Sequence, residues 1–282
     1  MGTPVKLSDR MLSYQQVSEG NLMRRQPVII RLDGKAFKTF TRNLIKPFDS
    51  DLSQIFQYVC FKLKEKIQGT KFIYQQSDEI SLFLCDYDKI TSDSWFDYRI
   101  QKMTSISASL TSVLFNQGIS QIIEKYENLL SEKPENNEQI LDRINIWKTK
   151  LNCAMFDSRV FNLPEDEVCN YFIWRQQDAI RNSKQAMGQA FFSHNQLQNK
   201  NVDEVCEMLI QLKNQDWYKT SIVQQRGFCV ARDVKVLSDN KTETNWYIDI
   251  NIPIFKNNRE YINKNCSSNQ EAVDLWKTII EE

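Results

Sequence analysis

Residues 28–34 read Val-Ile-Ile-Arg-Leu-Asp-Gly. β-Branched and apolar residues dominate the run, which is the composition of a strand inside a sheet. Side chains alternate across a strand, so Val28, Ile30 and Leu32 share one face and Ile29, Arg31 and Asp33 the other. Asp33 then stands at the strand's end, and Gly34 lets the backbone turn and come close to a ligand. A second stretch, 71–84 (KFIYQQSDEISLFL), divides into strands over Phe72–Tyr74 and Ile80–Leu84 around a polar centre of Ser77, Asp78 and Glu79. That is the pattern of a hairpin. Laid beside the first strand, it brings Asp33 and Asp78 together.

Carboxylates so placed suit magnesium, a hard cation held by one or two carboxylates plus substrate phosphates. Two such ions, about 4 Å apart, clamp the attacking and leaving oxygens of a phosphoryl transfer. Asp33, the carbonyl of Gly34 and Asp78 fit that arrangement. The same residues have plainer uses: Asp-Gly at a strand end also makes an ordinary turn, and Asp-Glu in a hairpin is often solvated punctuation.

Between strand and hairpin, Asp49 to Ile67 carries Leu52, Ile55, Phe56, Val59, Leu63 and Ile67 at the spacing of an amphipathic helix. Strand, helix and hairpin together make a palm of the kind found in polymerases and nucleotide cyclases. The fold class is therefore α+β: an antiparallel palm sheet flanked by helices, with a C-terminal extension of helices and strands. The loop 35–46 is basic, with Lys35, Lys38, Arg42 and Lys46. It reads either as a solvated turn or as a triphosphate cradle made of the backbone N–H groups of Gly34 to Phe37 and the charge of Lys46. It contains no GxxxxGK[ST], so it is not a P-loop.

Further along, Trp95 to Phe115 is expected as a helix with Phe96, Ile100, Met103, Ile106, Leu110, Val113 and Leu114 inward, and with Arg99 and Lys102 within one turn of each other. Residues 119–150 are highly charged, and Pro134, Asn136 and Asn137 break two short helical patterns. They are expected to form an inserted surface helical pair or a partly mobile arm. Cys153 to Leu163 is expected as a strand, a turn at Asp157 and Ser158, and a second strand. A long helix follows Pro164 and Asp166, with Arg175, Asp178 and Asn182 on one face. Asp203–Leu212 is read as a helix, Arg226–Ala231 and Asn245–Ile250 as late strands, and Gln270–Glu282 as a last helix. The domain reading is a catalytic palm over 1–160 and a helical extension over 161–282, packed as one unit.

RLDGKAF (31–37), KPFD (46–49), YQQSDEISLFL (74–84), FDSRV (156–160) and WRQQDAIRNSKQ (174–185) occur in one order. This resembles the Thg1 family, the tRNA-His guanylyltransferases and Thg1-like 3′-to-5′ nucleotide polymerases, over roughly residues 9 to 232. RNSKQ, FFSHNQL (191–197) and RGFCV (226–230) resemble the Thg1-like branch. The resemblance implies templated addition of nucleotides to the 5′ end of tRNA. ATP adenylylates a 5′-monophosphate, and the 3′-hydroxyl of an incoming NTP then displaces AMP with two Mg2+ ions at Asp33, Gly34 and Asp78. It implies catalytic roles for Asp33, Asp78 and Glu79. It also implies nucleotide contacts from Asp33, Gly34, Lys35, Ala36, Phe37, Lys38, Lys46, Ser77, Asp78, Arg99 and Lys102, and RNA contacts from Arg159, Arg175, Arg181, Asn182 and Lys184. ATP, GTP and the other NTPs would be substrates, tRNA the partner, and a homotetramer the assembly. One departure matters: the tRNA-His enzymes carry a His-x-Asn-Asn pattern where this sequence has Ile180-Arg181-Asn182-Ser183. The missing histidine turns the reading away from tRNA-His guanylylation, which is the runner-up. A nucleotide cyclase and a non-catalytic tRNA-binding protein are further alternatives.

Composition narrows the partners. Lysine and arginine balance aspartate and glutamate at 36 each, so no global field draws nucleic acid, and RNA binding must come from local patches. The seven cysteines include no CxxC pair, which argues against zinc and for free thiols in a reducing compartment. No apolar run is long enough to span a membrane. The N-terminus lacks an apolar signal core and is a poor transit peptide, so a cytoplasmic location is expected ahead of a mitochondrial one. The lone histidine, His194, reads as a helix-end or core residue.

Overall fold

The VIIRLDG run is strand β1 (Val28–Gly34), buried along its first three residues and opening at Asp33 and Gly34. The computed structural model describes residues 6–89, 91–132, 137–236 and 242–266. The polar stretch after β1 contains a short helix α2 (Phe37–Phe40), followed by helix α3 (Ser50–Lys66). Asp49 caps α3, accepting the N–H groups of Asp51 and Leu52, and Ile55, Phe56, Val59 and Leu63 face the core as their spacing predicts. Strands β2 (Thr70–Gln76) and β3 (Glu79–Leu84) form the hairpin, and its turn places Ser77 in the left-handed region at φ 52°.

Among the described residues six strands form one antiparallel sheet in the order β4-β1-β3-β2-β5-β6, where β4 is Phe156–Asn162, β5 Phe228–Val236 and β6 Thr242–Asp249. In register, Val28, Ile30 and Leu32 oppose Leu84, Leu82 and Ile80, and these residues pack under α3 and the long helix α4 (Ile100–Glu132). Ile29 opposes Phe83 on the other face, where Phe72, Tyr74 and Cys229 also lie. That face is covered by α6 (Val168–Phe191) and α10 (Arg259–Cys266). Helices α7 (His194–Leu197) and α8 (Val202–Lys213) close a third apolar cluster around Met187, Leu209 and Trp217, and α9 (Ile222–Arg226) follows, with Ile222 and Val223 packed against the two larger clusters. An amphipathic helix α1 (Leu7–Gln16) precedes β1 and buries none of its side chains. All seven cysteines are free thiols, six of them buried. Among the described residues no helix is long and apolar enough to cross a membrane.

Four expectations are corrected. First, Asp157 and Ser158 are not in a turn. They are the second and third residues of β4, which pairs with β1 from Val28↔Asn162 to Gly34↔Phe156. Second, a helix does not begin at Trp95. Phe96, Asp97 and Tyr98 adopt positive φ in a tight turn, and α4 starts at Ile100. The inner stripe of α4 runs Met103, Ser107, Thr111, Leu114 and Gly118, with Ile106 and Val113 exposed. The hydroxyls of Ser107 and Ser158 bond across to the sheet at 2.7 Å, so small polar residues do the work that an apolar reading gives to Ile106 and Val113. Third, residues 119–132 and 137–150 are no surface arm. Ile119, Ile122 and Ile123 of α4 and Ile144 and Trp147 of α5 (Asn137–Lys148) belong to the main core, and Trp147 is fully buried. Fourth, a boundary at residue 160 would cut β4, while β5 and β6 extend the same sheet that holds β1. Pro134, Asn136 and the helix expected over 270–282 lie outside the described residues.

Candidate active site

β1 and the hairpin place two carboxylates at one end of the sheet. Asp33 is the penultimate residue of β1, and the N–H of Gly34 donates to the Asp78 carbonyl at 3.1 Å, which ties the strand end to the hairpin turn. Burial and the charge of Asp33 raise the Asp78 carboxyl above its ordinary range; the hydroxyl of Ser77, which donates to Asp78 Oδ1 at 3.1 Å, offsets this in part. Among the described residues neither Asp33 nor Asp78 forms an ion pair. Gly34 cannot be replaced cheaply, since a Cβ there would meet the Phe37 ring at 2.2 Å.

Glu79 is directly opposite Asp33 across the sheet but is already engaged. Arg175 of α6 donates to it through Nε and Nη2, both at 2.7 Å, and also reaches Asp178 at 3.1 Å. Burial works against the charge of Arg175, yet the hydrogen bonds and charge of Glu79 outweigh it and hold the guanidinium above its ordinary pKa. Arg175 is therefore a buried strut under the site rather than a surface offered to RNA. With Glu79 neutralised, Asp33 and Asp78 remain as the uncompensated pair, a donor set suited to a divalent cation. No third His, Cys, Asp or Glu side chain joins them in a metal cage among the described residues. Magnesium completes such a set with waters and phosphate oxygens, so two carboxylates beside an open cleft fit it.

The cleft next to Asp78 measures about 700 Å3. One wall is the basic loop, with Lys38, Thr41 and Lys46; another is the hairpin turn with Ser77; a third comes from Asn182 and Ser183 of α6; and the floor closes on Gln224 to Gly227. Lys46 is exposed, its ammonium 3.4 Å from the Thr41 hydroxyl. Of the amides read as a phosphate cradle, Gly34 N–H is bound by Asp78 and Lys35 N–H by Met155, so any cradle is built from Ala36 onward. Phe37 also borders the cleft, although its ring packs mostly against Phe40, Phe115 and Phe156 in the core.

Arg99 and Lys102 are elsewhere. Ser112 of α4 accepts the N–H of Phe156, the partner of Gly34, so the site end of α4 is ten residues beyond Lys102. At 1.5 Å per residue that is about 15 Å along the helix. Lys102 lies over the Phe96 ring and Arg99 bonds the Phe96 carbonyl, at the turn that precedes α4. Of the residues read as RNA contacts, Arg159 is exposed on β4 opposite Arg31, and Arg181 is exposed and pairs with Asp178. Lys184 is tucked between Trp217 and Tyr218 and bonds the Tyr218 hydroxyl at 3.3 Å. His194 is the exposed first residue of α7.

Sequence reasoning missed the cleft's floor. Gly227 has φ 82°, and a Cβ there would meet the Gln75 carbonyl at 1.9 Å, so only glycine lets β5 pair with β2 so close to the hairpin. Ser183 donates to the Gln224 carbonyl at 2.6 Å, joining α6 to α9. The RGFCV motif was the available signal for this segment. Ile180, which stands where the tRNA-His enzymes carry histidine, packs against the Met187 and Trp217 cluster.

A family model described as tRNAHis guanylyltransferase, Thg1, matches residues 8–164. The chain belongs to the Thg1 family. Membership makes it a nucleotidyltransferase by family, built on the palm-like fold. A bacterial tRNA(His) guanylyltransferase (Thg1)-like protein in complex with ATP superposes with TM-score 0.76 at 36% identity, covering 94% of this chain and 100% of that one. The corresponding bacterial complex with GTP gives TM-score 0.70 at 34% identity, covering 92% and 98%. The tRNA(His) guanylyltransferase from Saccharomyces cerevisiae shares the fold at TM-score 0.57 and 17% identity, over 78% of this chain and 91% of that one. An uncharacterized protein, R259, of Acanthamoeba polyphaga mimivirus is 27% identical over 83% of this chain and 79% of its own length. The Thg1 match ends just past β4, whereas the likeness to the ATP- and GTP-bound structures covers more than nine-tenths of this chain.

Proposed function

We propose that this protein adds nucleotides to the 5′ end of tRNA in the 3′-to-5′ direction, each selected by pairing with the opposite strand. The observation that carries the reading is the Asp33–Asp78 pair, uncompensated in charge and set beside a cleft of about 700 Å3. The bacterial Thg1-like proteins that resemble this chain are described with ATP and with GTP, which supports a nucleoside triphosphate as the occupant.

A 5′-monophosphate is a poor electrophile, because hydroxide or oxide would have to leave. In the first step its oxygen attacks the α-phosphorus of ATP; a P–O–P bond forms, the α–β bond breaks, and pyrophosphate leaves. In the second step the 3′-hydroxyl of an incoming NTP attacks the 5′ phosphorus, and AMP leaves. Magnesium bound at Asp33 and Asp78 would supply charge neutralisation at the phosphates and acidify the attacking hydroxyl. The chain's own groups orient the reactants. Lys46 and Lys38 line the wall where a triphosphate would lie, Ser77 holds the Asp78 carboxylate, and Arg175 keeps Glu79 from adding a third repelling charge. Arg159 and Arg181 are the exposed cations offered to RNA. A homotetramer and a cytoplasmic location complete the proposal.

The test uses a 5′-monophosphorylated tRNA lacking its first nucleotide, incubated with ATP, magnesium and each NTP in turn. Extension by the nucleotide complementary to the opposite strand supports the proposal. Addition of G alone, and only to tRNA-His, makes the protein a tRNA-His guanylyltransferase. No extension, even of a 5′-triphosphorylated substrate, overturns templated addition.

A further inference from the structure

The basic loop is not free at its ends. The ammonium of Lys150, just beyond α5, donates to the Arg42 carbonyl at 2.9 Å. At the other end, Asp49 Oδ2 accepts the N–H of Ile45 at 3.0 Å, the residue before Lys46. Arg143 of α5 grips Asp49 with both arms of its fork, Nη1 to Oδ2 at 2.9 Å and Nη2 to Oδ1 at 3.0 Å. Its Nη2 also bonds Asp51, which is buried and further receives the Tyr126 hydroxyl at 2.8 Å and the Trp147 indole N–H at 3.2 Å. Tyr126 is on α4 and Arg143 and Trp147 are on α5, so all three come from the charged helical pair read as an insertion. Burial opposes the charge on Arg143, but its carboxylate and hydroxyl partners outweigh that and raise its pKa.

We infer that the α4–α5 pair positions the Lys46 loop at the cleft, with Arg143 as the positioning residue acting through Asp49. The inference rests on the reading of Lys46 as a triphosphate contact. A planar, bidentate fork fixes both distance and orientation, which an ammonium cannot. Without the fork, Asp49 would keep the backbone N–H groups of Ile45, Asp51 and Leu52 but lose the cation that balances its buried charge and fixes its orientation, which loosens the tie to Ile45 and with it the backbone that aims Lys46. The charge in this stretch is thus divided: Glu124, Glu127, Glu132, Glu138 and Lys148 are exposed, and the half-buried Arg143 faces the loop.

The test compares ATP affinity by calorimetry with magnesium in the full chain and in Arg143→Lys, Arg143→Met and Lys46→Ala, with amide exchange on each. Expected is a loss of about 10-fold for Arg143→Met and a smaller one for Arg143→Lys, a misplacement effect rather than a lost contact. Faster exchange should be confined to residues 41–49. Affinity within twofold of the parent in both Arg143 variants overturns the inference. So does faster exchange throughout α3, α4 and the sheet, or failure of both variants to fold, because Arg143 would then serve the core alone. Unchanged affinity in Lys46→Ala beside a loss in the Arg143 variants upholds the positioning role and faults the reading of Lys46 instead.

Discussion

Asp78 is held above its ordinary pKa by burial and by Asp33, so its charge costs the empty protein stability. The sign follows from linkage. A carboxyl with a raised folded pKa binds more protons folded than unfolded, so stability falls as pH rises through the interval above the ordinary value. Asp78→Asn should therefore abolish both chemical steps and yet raise the thermal midpoint of the metal-free protein, by about 2 °C. A lower midpoint, read by scanning calorimetry, would refute the assignment of Asp78 to an uncompensated pair. Glu79 and Arg175 behave in the opposite way. Both are buried, so Arg175→Ala leaves a buried carboxylate unpaired and should cost ~3–5 kcal/mol in a urea titration, while the Arg175→Met, Glu79→Met double variant recovers most of it. The alternation in VIIRLDG and SDEISLFL placed Asp33, Asp78 and Glu79 at one end of the sheet from sequence. What alternation could not show was a cross-element partner. Arg175, nearly a hundred residues from Glu79, looks like any polar residue on a helix face until α6 is seen to lie over β3.

Helices and strands carry the next set of consequences. Asp51 sits below its ordinary pKa: burial would raise it, but Arg143, Tyr126 and Trp147 outweigh burial. A depressed carboxyl contributes stability that is complete above the unfolded value of 3.8 and is lost as pH falls through the lower folded value. The stability gap between the parent and Asp51→Asn should accordingly be full at pH 5 and narrower at pH 3, by urea unfolding at each. Gly227→Ala forces a Cβ into the Gln75 carbonyl and a left-handed backbone onto alanine, at a cost of at least ~1–3 kcal/mol. It should weaken ATP binding too, since Gln75 and Gly227 both line the cleft. At this scale the apolar period of α3 and the alternation of the hairpin were sufficient guides. They failed for α4, where buried Ser107 bonds across to Ser158 of the sheet and buried Thr111 turns its hydroxyl back to the Ser107 carbonyl, a pattern that hydrophobic spacing cannot register. They failed again for 119–150, where charge on one side hid Ile122, Ile144 and Trp147 on the other.

For the whole molecule, the sheet order settles what can be separated from what. β2, the outer arm of the hairpin, pairs on its other side with β5 from the C-terminal half. A fragment ending at residue 160 would cut β4 and bare β2, and it should fail to give a cooperative unfolding transition by circular dichroism. The balanced charge has its own consequence: RNA affinity should depend on few phosphate contacts, and removing Arg159 or Arg181 should each lower the salt slope by about one. The sequence motifs ordered the chain correctly, but they did not reveal that the last strands belong to the first sheet, because strand partners distant in sequence leave no local pattern.

The pairing of Ile73 with Val230 also sets a timetable for synthesis. A ribosome releases the hairpin with Asp78 early, but the strand that seals its outer edge is made more than 150 residues later. At roughly 5–20 residues per second that is an interval of about 8–30 s. Throughout it the nascent chain presents β2 as an open, apolar edge, the kind of surface that recruits another strand. A nucleotide cannot hasten this, because its cleft does not exist until Gly227 has left the exit tunnel. The cell's protection for this protein must therefore come from whatever meets the growing chain, and not from its own substrate.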